Sequence, residues 1–368
     1  MAELDALLAR FHHSEIPLDR LRALIAATPD PEELHRIRET VTVPDEADAV
    51  VPPAPGDPEH ARLAALGREA IAAGELAAVI LAGGMATRFG SSVKALAPVL
   101  DETPLRFIDL KLADLARQGA IDTTLMTSFA TDEALREALG GAPVHFASQF
   151  VSLRLNPDGS LFREADGALS PHAPGHGDLP AALRLSGALE RLRGAGVRTV
   201  LISNVDNVGA TLDPVLTGLH RELGGAITVE LVAKRAGDRG GIPVRRADGS
   251  LVLAETFRLP PGFPDDRFPL FNTNTLWVDL AVLEREHEWT WSVARKTVDG
   301  REAIQLERLV GELTWWSETR YVKVPRDGPE SRFVPVKNRD DLSAAQEQIR
   351  SIWRARLGGR GTDAVRIV

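Results

Sequence analysis

The 368-residue sequence contains no cysteine, which excludes disulfide bonds, thiol catalysis and thiolate metal sites. It also has no apolar run close to the ~18 residues that a membrane-spanning helix needs. Its opening residues, MAELDALLARFHH, are acidic and amphipathic, so they do not read as a secretory signal. These absences together predict a cytoplasmic protein with no membrane partner.

The sequence also lacks an excess of positive charge. It contains 43 lysines and arginines and 52 acidic residues, which gives a net charge of −9. Proteins that follow nucleic-acid phosphates carry a basic face, so nucleic acid is not an expected partner. An acidic enzyme can still bind a polyphosphate through a few local cations and a metal ion. Single lysines and arginines beside glycine-rich turns are therefore the informative positions.

The length suits a large α/β core with one or two extensions. Residues 1 to about 40 show helical spacing of leucines, and the proline- and acid-rich stretch that follows is typical of a linker. We therefore expect a helical segment with its linker over 1–60, the main domain over 61–338, and a C-terminal helix and tail over 339–368.

Apolar strand-like runs alternate with helical patterns through the main domain. Strands are predicted over 124–129, 197–206, 226–234 and 270–280, and helices over 104–118, 131–139, 178–194 and 213–223. RRADGSLVLAE reads as a hairpin with Asp248 and Gly249 in its turn. The alternation predicts a mainly parallel sheet with helices on both faces.

The strongest local signal is a glycine turn after a buried strand, VILAGGMATRFGSSVKAL. Gly83 and Gly84 let the backbone bend and approach a ligand closely, and Arg88 and Lys94 supply the positive charge that a triphosphate needs. Ser91 stands where a Walker A lysine should follow Gly90, and the glycine spacing also fails the dinucleotide fingerprint of nicotinamide oxidoreductases. The alternative is that the two glycines only allow the chain to turn and that the turn binds no ligand.

The pattern LAGG-x-x-TR-x-G followed by a lysine resembles the signature loop of the sugar-nucleotide pyrophosphorylases. That resemblance implies a nucleotidyltransferase fold, a Rossmann-like doubly wound mixed sheet, here with an N-terminal helical extension. It also implies that the loop surrounds a nucleoside triphosphate, with Lys94 and Arg88 acting on its phosphates.

APGHGDLPAAL resembles the PGHGD segment of the eukaryotic-type UDP-glucose pyrophosphorylases, which implies that His176 and Gly177 face the nucleotide. The flanking glycines leave the His176 ring free to point at a phosphate, although a surface or capping histidine is the alternative. Asp178 is expected to cap the helix that starts there.

LISNVDNVGATLDP resembles the SNxDNLGAT motif of the same family. A buried strand that ends in Asn-x-Asp-Asn places a carboxylate at the carboxyl edge of the sheet, where α/β proteins bind ligands. Mg²⁺ is usually held by one or two carboxylates and substrate phosphates, so Asp206 is the predicted metal ligand and Asn204 a nucleotide contact. The alternative is an Asx turn that closes the strand.

LVAKRAGDRGGIPVRRADGSLVLAETF matches a family stretch, which implies that Gly240, Gly241 and Glu255 lie near the sugar and that Lys234 contacts a phosphate. LFNTNTLWVDL resembles the FNTNNLW motif. Its Asn272 and Asn274 are expected on one strand face. Their side-chain amides could there donate hydrogen bonds to sugar hydroxyl groups and accept hydrogen bonds from them. Alternatively, the two side-chain amides form hydrogen bonds only with backbone groups and bind no ligand.

Three further segments complete the resemblance, which spans about residues 77–342 in the family's order. AIQLERLVGEL matches the family's IQLE helix, and SRFVPVKNRDDL matches its RFLPVK segment, which implies a phosphate contact for Lys337. Gln149, five residues before Arg154, matches the family's uracil-reading glutamine segment, and an amide can pair with the imide edge of uracil.

The resemblance implies a magnesium-dependent uridylyltransferase that joins UTP and glucose 1-phosphate. Ala86 replaces a family glycine and Arg88 is extra, as in the N-acetylglucosamine and bacterial branches, so N-acetylglucosamine 1-phosphate and other sugar 1-phosphates stay open as acceptors. A catalytically inactive nucleotide-sensing homologue is a further alternative. Eukaryotic members continue into a C-terminal β-helix for which this sequence has no room, so no oligomeric state is predicted.

Overall fold

The computed structural model describes residue 11 and residues 18–28, 30–84, 93–238 and 240–357. The strands are β1 Val41–Thr42, β2 Ala49–Val50, β3 Leu76–Leu81, β4 Asp122–Thr127, β5 His145–Ser148, β6 Ser152–Leu153, β7 Pro171–His172, β8 Thr199–Asn204, β9 Ile227–Ala233, β10 Gly241–Arg246, β11 Leu251–Glu255, β12 Leu270–Asp279, β13 Ser292–Val298, β14 Arg301–Glu307 and β15 Thr319–Lys323.

The α-helices are α1 Leu18–Ala27, α2 Pro58–Ala72, α3 Phe107–Gln118, α4 Asp132–Ala138, α5 Leu179–Leu185, α6 Ala188–Gly194, α7 Pro214–Leu223, α8 Leu280–Leu283 and α9 Arg339–Leu357. Short 3₁₀ helices cover Pro31–Leu34, Glu46–Asp48, Lys94–Leu96, His176–Asp178, Thr256–Arg258, Asp265–Arg267 and Val310–Trp315. Local chemistry fixes several starts: the Asp213 carboxylate, for example, accepts from the Val215 and Leu216 N–H groups, and Pro214 opens α7.

An eight-stranded mixed sheet forms the centre of the protein, in the order β2-β15-β9-β12-β8-β3-β4-β5. β12 runs antiparallel to both of its neighbours, whereas every other neighbouring pair in this sheet is parallel. The carboxyl ends of β3, β4, β8 and β9 therefore share one edge with the amino end of β12. This edge is where a ligand of an α/β sheet is expected to bind.

Two apolar cores lie on the two faces of this sheet, as predicted. Alternate residues of β3 enter them: Leu76, Ala78 and Ile80 on one side, and Ala77, Val79 and Leu81 on the other. Helices α2, α3, α7 and α9 pack on the first side, and α5 and α6 on the second, together with the small antiparallel sheet β1-β10-β11. A strand buried on both faces is what the continuous apolar run of β3 predicts.

The predicted strands and helices of the main domain are confirmed with two differences, and the segment before it shows a third. The helix expected over 178–194 divides into α5 and α6, because Gly187 adopts a φ of 73° between them. The helix expected for AIQLE is strand β14, which pairs with β13 and is followed by a 3₁₀ helix. The stretch predicted to be a linker contributes β1 and β2, each paired with a longer strand.

Helix α1 packs over the β13–β14 hairpin, where Ile25 joins a third apolar cluster with Leu155, Trp291 and Ile304. Helix α9 confirms the charged C-terminal helix predicted from Arg339 onward. Within the described ranges, no helix combines the length and the apolar character that crossing a bilayer requires.

Candidate active site at the carboxyl edge of the sheet

The site is built where β3 and β8 end side by side. Leu81 of β3 is in register with Asn204 of β8, so the glycine turn after β3 and the Asn-Val-Asp-Asn turn after β8 leave the sheet together. β12 enters from the opposite direction and brings Asn272 and Asn274 to the same edge. Three motifs that are far apart in sequence thus meet at one place.

Lys94 and Asp206 form an ion pair at this edge, with Nζ 2.5 Å from Oδ2. Their side chains are only 12% and 22% exposed, so solvent screens the pair weakly. Lys94 opens the 3₁₀ helix after the glycine loop, and Asp206 lies in the turn after β8. The sequence singled out both residues for different tasks and did not predict that they touch. Arg88, the other predicted cation of this loop, lies outside the described residues.

One position of the glycine turn lies directly against a side chain of the site. A Cβ on Gly83 would lie 2.2 Å from Nε2 of Gln149, so the Gln149 amide would have to move, whereas a Cβ on Gly84 would meet no atom of the described residues within 4 Å. Gln149 is buried, and its Oε1 accepts a 3.2 Å hydrogen bond from the Gly175 N–H. Gln149 therefore joins the glycine turn to the PGHGD segment, so the structure brings these two predicted nucleotide-binding segments together.

His176 is held in one tautomer. The Val310 N–H donates to Nδ1 at 2.9 Å, so Nδ1 carries no proton and the ring hydrogen is on Nε2. Burial lowers the pKa of His176 to about 4, and the ring is therefore neutral at pH 7. His176 is a fixed neutral donor through Nε2, not a cation.

Gly177 is explained by packing, because its Cβ would lie 2.5 Å from the carbonyl carbon of Arg308. The expectation that Asp178 caps a helix is wrong. Its carboxylate makes no capping bond and instead accepts from Arg308 Nε at 2.8 Å and from the Phe150 N–H at 3.0 Å. Asp178 and Arg308 are both buried, so this pair fixes the PGHGD segment against the strand region that follows Gln149.

The sequence analysis missed Arg308, although it directly follows the QLE of the matched motif. Its guanidinium also lies over the Trp291 ring, 4.8 Å from the centroid. The residue type alone did not indicate that Arg308 is buried, because the chain has many other arginines that lie at the surface.

Two of the residues predicted to bind the sugar, Gly240 and Gly241, lie beside a third, Glu255. Gly241 of β10 is in register with Glu255 of β11, and a Cβ on Gly241 would lie 3.0 Å from Oε1 of that carboxylate. Gly240, with a φ of 153°, also faces the Glu255 carboxylate. Burial raises the pKa of Glu255 to about 7, and the positive charges of Arg258 and Lys337 oppose that rise. The structure therefore brings Gly240, Gly241 and Glu255 together.

The two asparagines of β12 have different environments. The strand register shifts between Asn272 and Leu276, and Asn274 has a φ of 56°, so the regular alternation expected here does not hold. Asn272 is buried, and its Oδ1 accepts the Asn274 N–H at 2.9 Å, as the alternative interpretation proposed. Asn274 is half-buried, and its Nδ2 donates to Oδ1 of Asn204 at 3.0 Å.

The segment that carries Lys337 pairs with the turn that carries Asp206. The Val336 N–H donates to the Asp206 carbonyl at 3.1 Å, and Asn207 forms a bridge with Pro335. The Lys337 side chain is exposed at this edge. Lys234, by contrast, donates to Asp265 through Nζ at 3.1 Å, so its amine is directed to a carboxylate of the protein.

A buried ion pair beneath this segment was also missed from the sequence. Arg332 binds the fully buried Glu230 at 2.6 Å, and the indole N–H of Trp277 donates to the same carboxylate at 2.9 Å. Arg332 lies in the matched RFVPVK segment, which was the available signal. The pair anchors the segment that leads to Lys337.

Asp206, the predicted metal ligand, places its carboxylate in the turn after β8. The described part of the chain contains no cluster of three or more His, Asp or Glu side chains that could hold a metal by itself. Mg²⁺ commonly binds one or two carboxylates and completes its shell with water and substrate phosphates, so a single carboxylate facing a phosphate site suits it. The donor set fits Mg²⁺ bound together with a nucleotide.

The mixed sheet with helices on both faces, and the polar site at its carboxyl edge, define an α/β protein of the nucleotidyltransferase-like class. The profile of the UTP–glucose-1-phosphate uridylyltransferase family matches residues 56–357. The chain belongs to this family.

Individual relatives agree with this assignment. A UTP–glucose-1-phosphate uridylyltransferase of Dictyostelium discoideum is 29% identical over 313 residues, which cover 77% of this chain and 61% of that protein. The chain thus spans less than two thirds of this relative's length.

Solved structures agree as well. A Trypanosoma brucei UDP-glucose phosphorylase structure is 25% identical, with a TM-score of 0.71 over 89% of this chain and 73% of that one. A UDP-N-acetylglucosamine pyrophosphorylase from the same organism is 21% identical, with a TM-score of 0.73 over 99% of this chain and 86% of that one, and it supports the fold alone.

Proposed function

We propose that this protein transfers the uridylyl group of UTP to glucose 1-phosphate, with Mg²⁺, and releases UDP-glucose and pyrophosphate. The observation that carries the proposal is the Lys94–Asp206 pair, which lies between the glycine turn and the segment leading to Lys337. A cation and a carboxylate at this edge are the groups that a magnesium-bound triphosphate requires. The family membership and the name of the Dictyostelium relative support the same reaction.

The nucleotide is proposed to bind over the glycine turn. Gly83 and Gly84 allow its close approach, and the Gln149 amide reads the uracil edge. His176 donates from Nε2, which suits a carbonyl, hydroxyl or phosphate oxygen, and Asn204 adds an amide at the end of β8. Gly177 contributes by letting the PGHGD segment pack closely enough to reach the site.

The triphosphate is proposed to separate the Lys94–Asp206 pair. Lys94 then turns to a phosphate oxygen, with Arg88 as a second cation, and Asp206 is freed to hold Mg²⁺. The metal ion, when bound, neutralises phosphate charge and orients the pyrophosphate leaving group. Exchange of one ion pair for two new ones keeps the partly buried carboxylate paired with a positive charge.

The sugar 1-phosphate is proposed to bind between Lys337 and the Glu255 region, with Asn272 and Asn274 nearest the sugar. An oxygen of its phosphate forms a bond to the α-phosphorus of UTP. The bond between the α-phosphorus and the α–β bridging oxygen breaks, and pyrophosphate leaves with that electron pair. No protein nucleophile is needed, because positioning and charge stabilisation supply the catalysis. Because phosphorylated metabolites do not cross membranes unaided, we propose the cytoplasm as the compartment.

The test is pyrophosphate release from UTP and Mg²⁺ with glucose 1-phosphate, galactose 1-phosphate or N-acetylglucosamine 1-phosphate, and with the other nucleoside triphosphates as controls. Fast release with UTP and glucose 1-phosphate is expected. Preference for N-acetylglucosamine 1-phosphate would keep the mechanism and change the acceptor. UTP binding without release with any sugar would contradict the activity and favour the nucleotide-sensing alternative.

The metal role has its own test in Asp206→Asn. This change keeps the side-chain volume and removes the charge, so the Mg²⁺ concentration for half-maximal rate should rise by about tenfold or more. Glu46→Gln, which removes an exposed carboxylate paired with Lys323, is the matched control and should leave the titration unchanged. An unaltered Mg²⁺ titration in Asp206→Asn would remove Asp206 as the ligand.

A further inference from the structure

Three cationic side chains bind three consecutive carbonyl groups behind the turn that carries Asp206. Arg356 Nη1 donates to the Gly209 carbonyl at 3.0 Å, Lys111 Nζ to the Ala210 carbonyl at 2.5 Å, and Arg332 Nη2 to the Thr211 carbonyl at 2.8 Å. The three residues come from α9, α3 and the segment before Lys337. The turn is therefore held by side chains from three separate segments of the chain.

These hydrogen bonds lie in a poorly solvated region. Lys111 and Arg332 are each 4% exposed. Burial lowers the pKa of Lys111 to about 7 and also lowers the pKa of Arg356. Charge-assisted bonds of this kind are stronger than neutral ones, and loss of a donor leaves a buried carbonyl without its partner. The position of the turn therefore depends on these donors.

Arg356 differs from the other two because it joins two segments of the site. Its Nη1 also donates to Thr211 Oγ1 at 3.1 Å, and its Nη2 donates to the Ser331 carbonyl at 2.8 Å. The first contact is to the Asp206 turn and the second is to the start of the segment that ends at Lys337. Arg356 thus fixes the spacing between these segments, although none of these bonds goes to Asp206 or Lys337 themselves.

The rest of α9 holds Arg356 in place. Ile349 and Ile352 of this helix enter the same apolar core as Val208, which lies in the turn itself. Arg356 lies in the last turn of the helix, where a cation also interacts favourably with the helix dipole. The C-terminal helix is therefore packed against the back of the predicted metal site.

We propose that Arg356 is a positioning residue that sets the distance between Asp206 and Lys337, and that it couples α9 to the predicted reaction. The proposal rests on the proposed function for its catalytic consequence. Its structural part, the fixing of residues 204–211 relative to the segment that leads to Lys337, stands on the two bonds of Arg356 to Gly209 and Thr211 and on its bond to the Ser331 carbonyl.

The experiment compares Arg356→Met with Arg354→Met in the full chain. Methionine keeps an unbranched apolar stem and good helix propensity while it removes every donor. Arg354 lies in the same helical turn but is exposed, so it controls for the loss of one positive charge from α9. The measurements are amide hydrogen exchange of peptides covering 204–211, the Mg²⁺ titration of the rate, kcat, KM for each substrate, and Tm.

We expect Arg356→Met to speed exchange in 204–211 by about tenfold, and to raise the half-saturating Mg²⁺ concentration by a similar factor. Arg354→Met should change neither. A lower Tm with exchange and Mg²⁺ titration like those of the control would reduce Arg356 to a merely structural role and overturn the proposal. If the wild-type chain transfers no uridylyl group, the proposed function fails, and exchange in 204–211 alone decides whether Arg356 positions the turn.

Discussion

Nζ of Lys94 lies 2.5 Å from Oδ2 of Asp206, so the cation and the carboxylate, for which the sequence predicts separate tasks, neutralise each other. Each is therefore held near its working position by the other. A substrate complex that offers both a phosphate and a magnesium ion gives Lys94 and Asp206 each a new partner of opposite charge at once, whereas a phosphate or a magnesium ion alone serves only one of them. We therefore expect UTP and Mg²⁺ to bind cooperatively.

The first prediction concerns Lys94→Met. Loss of one preorganised charge contact typically lowers kcat by about 10²–10³, and we expect a decrease of that order with the fold retained. Steady-state kinetics and circular dichroism check it. Lys323→Met, which removes an exposed lysine paired with Glu46, is the control. A rate near that of the control would remove Lys94 from the catalytic residues.

The second prediction separates the two lysines that the sequence proposed for the sugar phosphate. Lys337 is exposed at the site edge, whereas the Lys234 amine donates to Asp265. Lys337→Ala should therefore lower kcat/KM for glucose 1-phosphate by about 10² or more, and Lys234→Ala by less than about fivefold. Kinetics at saturating UTP distinguish them. Equal losses in both variants would show that Lys234 leaves Asp265 when substrate binds.

The third prediction tests the contact between Gly83 and Gln149. The methyl group of Gly83→Ala must displace the Gln149 amide, which breaks its bond to the Gly175 N–H. We expect UTP affinity to fall about tenfold, as in Gln149→Ala, and the double variant to be little worse than either single variant. Isothermal titration with UTP measures the cycle. Fully additive losses would mean that Gly83 acts on the nucleotide directly.

The fourth prediction concerns pH and Glu255. Because burial raises the pKa of this group to about 7, the folded chain holds a proton that the unfolded chain releases near pH 4.5. The protonated carboxyl group therefore contributes its full stabilisation of the folded state below about pH 4.5. This contribution is lost as the pH rises through about 7. Urea unfolding of wild type and Glu255→Gln between pH 4.5 and 8 isolates it from other groups.

Across that range the wild type should lose at most about 3 kcal/mol more than Glu255→Gln. The histidines titrate equally in both proteins, so they cancel in the comparison. Parallel pH curves for the two proteins would show that Glu255 ionises normally.

Much of the fold follows from residue patterns that tertiary contacts do not alter. β3 is apolar at every position and is buried on both faces, and α7, expected over 213–223, begins at Pro214 with Asp213 as its N-cap. The glycine turn after β3 and the Asn-Val-Asp-Asn turn after β8 were locatable for a similar reason, because each follows an apolar strand and the two strands end side by side.

The differences arise where a distant partner decides the outcome. Asp178 could cap a helix, but buried Arg308, 130 residues away in sequence, binds its carboxylate instead. AIQLE suits a helix or a strand by composition, and pairing with β13 makes it a strand. The left-handed Asn274 depends on the Asn272 amide and on Asn204, which local spacing does not reveal.

The short strands at the two ends of the main sheet have a consequence for behaviour at high concentration. β2 contributes two residues and β5 contributes four, so each outer border presents only a few backbone groups for pairing with another chain. Long, flat borders are the usual template for strand-to-strand aggregation. β2 also pairs with β15 and covers part of its outer edge. The proline-rich segment that was expected to be a linker therefore protects this border of the sheet from self-association.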